Sequence, residues 1–289
     1  MKNKVAIIGY GYVGKGMARI FPDALVYDPS FNVQDDEFKI VDGVIVAGKN
    51  VINAQAGLAI VCVPTPPKDQ SSQFAEDVDV PLEADTSIVE ATIQWLSDVP
   101  FILVKSTVPP GTTDRINGTL TTKKVCFSPE YMGEGGYYTP PHYPDPKDPV
   151  KHDFMVIGGE KETCEGVLAY FIPKLGPSKT YYVVTAIEAE LIKYMENTWG
   201  AMKVTFCNEW FDICQKFGAS YERVREGWLL DSRVERMHTA IFRNKRGFGG
   251  KCYPKDLMAI IKASENAGYE PKILKQVFEA NKDMRKKSL

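Results

Sequence analysis

Residues 4–28 constrain this chain more than any other stretch of it. Lys4-Val5-Ala6-Ile7-Ile8-Gly9 reads as a strand buried on both faces, because its apolar residues run on without alternation. Gly9-Tyr10-Gly11-Tyr12-Val13-Gly14 follows at once, residues 15–21 carry a helical pattern, and residues 24–27 form a short second strand ending at Asp28. Strand, GxGxxG, helix, strand, acid is the order of a dinucleotide-binding βαβ unit. Gly9 permits the tight turn, Gly11 lets backbone approach a pyrophosphate, and Gly14 lets the helix pack on the strand. Tyr12 and Val13 open that helix, whose free N–H groups and dipole favour phosphate. Asp28 is placed to accept from ribose hydroxyls, which favours NAD and repels the 2′-phosphate of NADP.

The pattern continues as an α/β domain. Apolar strands at 58–63, 101–104, 125–127 and 154–157 end in Val63-Pro64-Thr65, Lys105-Ser106-Thr107, Ser128-Pro129-Glu130 and Gly158-Gly159. Open α/β sheets bind ligands at the carboxyl ends of their strands, so Val63, Pro64, Thr65, Ser106, Thr107 and Glu130 are candidates for one rim. Taken singly, each is an ordinary turn residue. Residues 34–50 are ambiguous, and 67–80 and 133–152 read as polar loops. From Ala186 to Phe217 the pattern is one helix without proline, about 48 Å long at 1.5 Å per residue. The expected architecture is a doubly wound Rossmann sheet over residues 1–185, then the long helix and a small all-α domain over 186–289. Tyr194, Trp199, Phe206, Trp210 and Phe211 supply apolar surface for a core or a homodimer contact. Lys193 and Asn197, four apart, share a helix face.

A formal net charge of −2 gives no basic excess for nucleic acid. The local run Arg243, Lys245, Arg246, Lys251 suits a single phosphorylated ligand. No apolar stretch spans a bilayer and the N-terminus lacks a signal-peptide pattern, so the expected location is the cytoplasm. None of the six cysteines forms a CxxC pair, and no metal site is expected. Cys62, Cys126, Cys207 and Cys214 fit buried apolar positions. Cys252 does not. It lies in Gly247-Phe248-Gly249-Gly250-Lys251-Cys252-Tyr253-Pro254-Lys255-Asp256, and Pro254 suits the first turn of the helix that follows. A thiol just before a helix start is activated by the dipole, and three glycines do not build an apolar core. A dinucleotide site with a nucleophilic thiol points to a four-electron oxidation. An alcohol loses hydride to give an aldehyde, the thiolate makes that carbon tetrahedral, and the second oxidation leaves a thioester for water to cleave.

These motifs, with Ser106-Thr107-Val108-Pro109-Pro110-Gly111-Thr112-Thr113, Ala189-Glu190-Leu191-Ile192-Lys193-Tyr194 and Asn208-Glu209, resemble the UDP-glucose/GDP-mannose dehydrogenase family over nearly the whole chain. The resemblance implies Cys252 as nucleophile, with Lys193, Asp256 and Asn197 serving the oxygen at the reacting carbon. It implies that Glu130 assists thioester hydrolysis with Thr107 near the water, and that Glu134 faces the nicotinamide. Glu130, Lys193, Asn197, Arg246, Gly247, Phe248 and Gly249 would touch substrate, and Arg233 would reach the substrate of a partner subunit. Gly133 stands where many members carry a larger residue, and the segment Arg236–Arg246 is longer than usual. The family pattern normally continues into a third, nucleotide-binding domain, and this sequence ends at Leu289, before it.

The reading implied is a UDP-glucose 6-dehydrogenase using NAD. GDP-mannose or UDP-N-acetylhexosamine oxidation is the near alternative, since sugar selectivity lies in loops. A two-electron β-hydroxyacid dehydrogenase would share the first domain and the helix lysine but needs no cysteine. A non-catalytic NAD-binding protein would have no use for Lys193, Cys252 and Asp256 together.

Overall fold

The computed structural model describes residues 2–68, 80–120, 124–132, 145 and 147–287. The chain divides into two units, the first built from 1–66, 85–134 and 144–193 and the second from 67–84, 135–143 and 194–289.

The first unit is a doubly wound sheet. Among the described residues its strands are β1 (Lys4–Ile8), β2 (Leu25–Tyr27), β3 (Phe38–Val41), β4 (Val44–Ala47), β5 (Ala56–Val61), β6 (Phe101–Val104), β7 (Lys124–Phe127), β8 (Phe154–Gly158) and β9 (Thr180–Val184). They pair in the order β3-β4-β2-β1-β5-β6-β7-β8-β9. The six strands from β4 to β7 in that order run parallel, β3 closes one edge antiparallel, and β8 meets β7 antiparallel and β9 parallel. The ambiguous residues 34–50 form the β3–β4 hairpin and the start of a helix. Each central strand is buried on both faces. Ala6 and Ile8 pack with Leu25, Ala59, Val61 and Ile102 on one side, and Val5 and Ile7 pack with Val26, Leu58, Ile60 and Leu103 on the other. The uninterrupted apolar runs reflect this two-sided burial. Helices α1 (Tyr12–Ile20), α2 (Lys49–Gln55), α3 (Ser87–Trp95), α4 (Thr112–Thr119) and α5 (Lys161–Leu175) cover the faces. The chain turns from β2 and β4 on one side of β1 to β5 on the other, so the order reverses between β1 and β5.

The 31-residue helix α6 (Ala186–Lys216) begins in the first unit and passes into the second at Tyr194. The second unit adds α7 (Tyr221–Trp228), α8 (Tyr253–Asn266) and α9 (Lys272–Lys286). Its core sets Ala201 of α6 with Phe248, Leu257, Met258, Ile261, Val277 and Phe278, and a second cluster joins Cys207, Phe211 and Cys214 to Tyr221. The large residues of α6 therefore divide. Tyr194 and Phe211 are buried, while Trp199, Phe206 and Trp210 remain exposed. No helix among the described residues is long and apolar enough to cross a membrane.

One buried side chain ties α6 to the sheet unit. Glu190, fully buried, accepts from the N–H groups of Gly111 and Thr113 and from the Thr113 hydroxyl, and so caps the start of α4, while burial pushes its carboxyl up to about 7. Gly111 there has φ +87°, which its lack of a Cβ allows. Glu190→Ala strands these donors, and we expect urea denaturation to show a loss of about 3 kcal/mol.

Candidate active site

The turn leaving β1 is shaped by three glycines with three different surroundings. Gly9 has φ +91° and donates to the Tyr27 carbonyl at 2.8 Å, and a Cβ there would stand 2.7 Å from the Cys62 carbonyl oxygen. At Gly14 a Cβ would meet the Gly9 carbonyl oxygen at 2.0 Å. At Gly11, the N-cap of α1, a Cβ would meet nothing within 4 Å. Tyr12, the first residue of α1, is exposed beside it. Asp28 ends β2 and accepts from the N–H of Tyr10 at 2.8 Å and from the N–H and hydroxyl of Ser30. Burial works against its charge, but these bonds hold the carboxyl below the usual range. A helix start at a glycine with room around it and an ionised acid at the next strand end fit a dinucleotide's diphosphate and ribose.

The neighbouring strand ends are tied by side chains bonded to backbone. Ser106 donates to the Val63 carbonyl at 2.7 Å, and Thr65 donates to the Thr107 carbonyl at 2.8 Å. Thr65 and Ser106, expected at a ligand rim, thereby fix the loops that carry Val63, Pro64 and Thr107. Lys105 is buried and donates to the Pro129 carbonyl at 2.8 Å and the Ser128 hydroxyl at 3.3 Å. It lies 3.5 Å from the Glu130 carboxylate. The other Glu130 oxygen accepts from the N–H groups of Tyr131 and Met132, both at 2.7 Å. Lys193 donates to the Glu130 carbonyl and lies over the Tyr131 ring. Glu130, Lys105, Ser128 and His152 share the wall of a cavity of about 40 Å³. Burial holds the His152 imidazole below its ordinary value, although the Glu130 charge pulls it the other way. Burial also pushes the Cys62 thiol up. Glu134 and Gly133 lie outside the described residues.

In the second unit, Cys252 is the N-cap of α8 and Pro254 is in its first turn. None of the six cysteines forms a disulfide, and Cys252 alone is exposed. Asp256, one turn further and 1% exposed, accepts from Asn197 at 2.5 Å and pairs with Lys255. The preceding loop is held at two points. Asn281 of α9 accepts from the Phe248 N–H at 2.8 Å and donates to its carbonyl at 3.0 Å. Gly247 has φ +70°, and a Cβ there would strike Asn281 Oδ1 at 2.4 Å. Arg246 is buried, donating to the Asn208 side chain and carbonyl at 2.7 and 2.9 Å, pairing with Asp212 at 2.9 Å and lying over Phe211. The basic run therefore splits, because Arg246 braces the loop while Arg243, Lys245 and Lys251 are exposed. Arg243 pairs with Glu222, and Arg233 at the surface forks onto Asp231. Gly249 follows both anchors, on the way to Cys252.

Comparison with known proteins decides the family. Residues 47–172 match the NAD binding domain of the UDP-glucose/GDP-mannose dehydrogenase family, and residues 187–283 match its central domain. The chain is 30% identical to the UDP-glucose 6-dehydrogenase of Haloferax volcanii, covering 96% of this chain and 69% of that protein. The chain belongs to the UDP-glucose/GDP-mannose dehydrogenase family. It is 35% identical to the UDP-glucose 6-dehydrogenase of Rickettsia prowazekii over 63% of its own length, and this match spans only 41% of that relative. A UDP-glucose dehydrogenase structure from Pyrobaculum islandicum superposes with a TM-score of 0.74 at 25% identity, covering 98% of this chain and 68% of that one. A UDP-D-ManNAc dehydrogenase structure from Pyrococcus horikoshii, at 21% identity and TM-score 0.75, shares the fold over 98% of this chain and 69% of its own.

Sequence reasoning missed Lys105, Asn208, Lys255 and Asn281 as members of this machinery. Lys105 had a visible sign, since it follows an apolar strand without a turn. The two asparagines lie on helices far along the chain from the loops they hold, where a lone polar residue reads as solvated.

The glycine geometry separates two variants that look alike in sequence. Gly11→Ala meets no atom, so we expect an unchanged melting temperature without ligand and a loss of NAD⁺ affinity of about tenfold or more by calorimetry. Gly14→Ala drives a Cβ into the Gly9 carbonyl, and its melting temperature should fall even without ligand.

Proposed function

We propose that this chain catalyses the NAD⁺-dependent oxidation of a nucleotide sugar's CH₂OH group, UDP-glucose to UDP-glucuronate, through a thioester on Cys252. The observation that carries the reading is the exposed thiol at the start of α8 with the buried Asp256 one turn behind it, held by Asn197 and Lys255. A thiol kept for packing would be buried, as Cys126, Cys164, Cys207 and Cys214 are.

Gly9 to Gly14, Asp28 and the rim at Val63 to Thr65 and Ser106 would hold NAD⁺, which would supply the hydride acceptor. The chain's own groups do the rest. In the first oxidation the alcohol carbon loses hydride and its hydroxyl loses a proton. The Cys252 thiolate then adds to the aldehyde carbon, and the thiohemiacetal loses a second hydride to become a thioester. Water adds to the thioester, the carbon–sulfur bond breaks, and the thiolate is regenerated. The balance is RCH₂OH + H₂O + 2 NAD⁺ → RCOO⁻ + 2 NADH + 3 H⁺. Lys193, Asn197 and Asp256 serve the oxygen of the reacting carbon, where negative charge develops. Glu130, with Thr107, takes the proton of the hydrolytic water. Lys105 lies 3.5 Å from its carboxylate. Gly247, Phe248 and Gly249 would line the sugar, and the exposed Lys245 and Lys251 would meet the diphosphate. Arg246, committed to Asn208 and Asp212, would act by holding that loop in shape.

We further infer a homodimer through the outer face of α6. Met195, Trp199, Phe206 and Trp210 are exposed there, and Phe206, Trp210, Val224 and Trp228 line a groove of about 180 Å³. An aromatic patch of this kind is seldom left to water. Arg233 would then serve the partner's substrate.

Assayed against a panel of nucleotide sugars, the protein should form two NADH per acid, with UDP-glucose the best substrate. Cys252→Ala should bind NAD⁺ normally and form no acid. Acid formation near the wild-type rate in that variant would remove the thioester from the mechanism. In sedimentation the chain should run as a dimer, and Trp210→Glu should shift it toward monomer. A wild-type monomer would end the dimer inference.

A further inference from the structure

Gly200 sits inside α6, where glycine is a poor helix residue. Its surroundings explain it. A Cβ at Gly200 would stand 2.4 Å from the Tyr253 hydroxyl and 2.7 Å from the ring carbon that bears it. The hydroxyl end of the Tyr253 ring therefore lies against bare helix backbone. From another side the same hydroxyl meets His238 Nε2 at 2.9 Å, with the two rings edge to face at 5.6 Å. Phe248 meets the ring edge to face at 6.2 Å. Tyr253 is the first residue of α8 and follows Cys252 directly.

His238 is held in an unusual way. Its φ is +66°, a left-handed conformation that few side-chain-bearing residues adopt and that persists only where the surroundings enforce it. The enforcement is visible on both flanks. Thr239 is fully buried, and its carbonyl accepts from the Tyr221 hydroxyl of α7 at 2.8 Å. Three residues before His238, the Glu235 carbonyl accepts from Lys203 of α6 at 2.7 Å, and the Glu235 carboxylate pairs with that lysine at 3.8 Å. Burial, with Lys203 nearby, holds the imidazole below its ordinary value, against the pull of Glu235. The ring therefore works in its neutral form at neutral pH.

We propose that His238 is a positioning residue for Cys252: with Gly200 it clamps the Tyr253 ring and so fixes the first turn of α8 on which the thiol stands. This gives the long segment Arg236–Arg246 a task, that of a bracket presenting one imidazole to the residue after the nucleophile. The inference rests on the reading of Cys252 as the nucleophile. A nucleophile displaced by about an ångström loses on the order of a hundredfold in rate, so a clamp one residue away has leverage.

Three variants reach the clamp from different sides. His238→Gly removes the imidazole at a backbone conformation that glycine adopts freely, so the segment keeps its path. Tyr253→Phe removes only the hydroxyl. Gly200→Ala pushes the ring from the helix side. The probe is iodoacetamide at one fixed neutral pH, with modification of Cys252 followed by peptide mass spectrometry. We expect the Cys252 alkylation rate to fall about fivefold or more in each variant, because a loosened first turn no longer offers its N–H groups to the thiolate. We expect kcat for NADH formation to fall at least as far while the KM for NAD⁺ stays within about twofold. His238→Gly and Tyr253→Phe should melt close to wild type. Should one variant fail to fold, the other two decide. Wild-type alkylation rates in the folded variants overturn the clamp. The alkylation measurement needs no substrate. If the wild type reduces no NAD⁺ with any nucleotide sugar, the dehydrogenase reading falls while the alkylation rates still judge the clamp.

Discussion

The edge of the sheet where the dinucleotide residues collect depends on one close approach of backbone to backbone, that of Gly14 to the Gly9 carbonyl. No side chain fits between them, since a Cβ on Gly14 would come within 2.0 Å of that oxygen. The contact seats α1 on β1, closes one face of the sheet over Ile7, Met17 and Ile20, and brings the start of α1 over the turn. Gly9 in turn lies against the Cys62 carbonyl, so the ends of β1 and β5 sit together where the strand order reverses. Close-packed interiors transmit such constraints because no slack exists to absorb them.

The same unit buries several polar groups, and Lys105 and Glu130 lie together, although Glu130 Oε2 and His152 Nε2 are buried without a hydrogen bond. Lys105 is held by a carbonyl, a hydroxyl and the Glu130 carboxylate, and Glu130 receives two backbone N–H groups. A charge taken out of water costs several kcal/mol unless it is paired and hydrogen-bonded, and the compensation here is dense. That density fixes the backbone at the end of β7, from which Lys193 also takes its anchor. The second unit uses the same economy at the cysteine loop, where Asn281, Asn208 and Arg246 meet glycine-rich backbone that could not hold a shape alone.

The basic run before the cysteine shows how composition misleads. In sequence Arg243, Lys245, Arg246 and Lys251 are equivalent cations. In the fold Arg246 turns inward to Asn208, Asp212 and Phe211, and the others face water. Thr65 and Ser106 make a similar point, because their hydroxyls are bonded to neighbouring loops. Residue type alone does not distinguish a ligand group from a brace, since both roles need the same donors.

Residues 4–28 by themselves determined the Rossmann character of the first unit, because a turn with three glycines between a doubly buried strand and a helix suits little else. The unbroken pattern from Ala186 determined the long helix, which ends at Lys216, and Pro254 after Cys252 marked the start of α8. These features are local, and backbone sterics and periodicity write them into neighbouring residues. Tertiary structure alone decided that residues 34–50 become a hairpin at the sheet edge, that Glu190 caps α4, and that Asp256 is buried against Asn197. It alone placed His238 against Tyr253 and Gly200. Each of these joins residues tens of positions apart or depends on a partner strand, and such pairings leave no periodic trace in the sequence because chain packing, not local geometry, selects them.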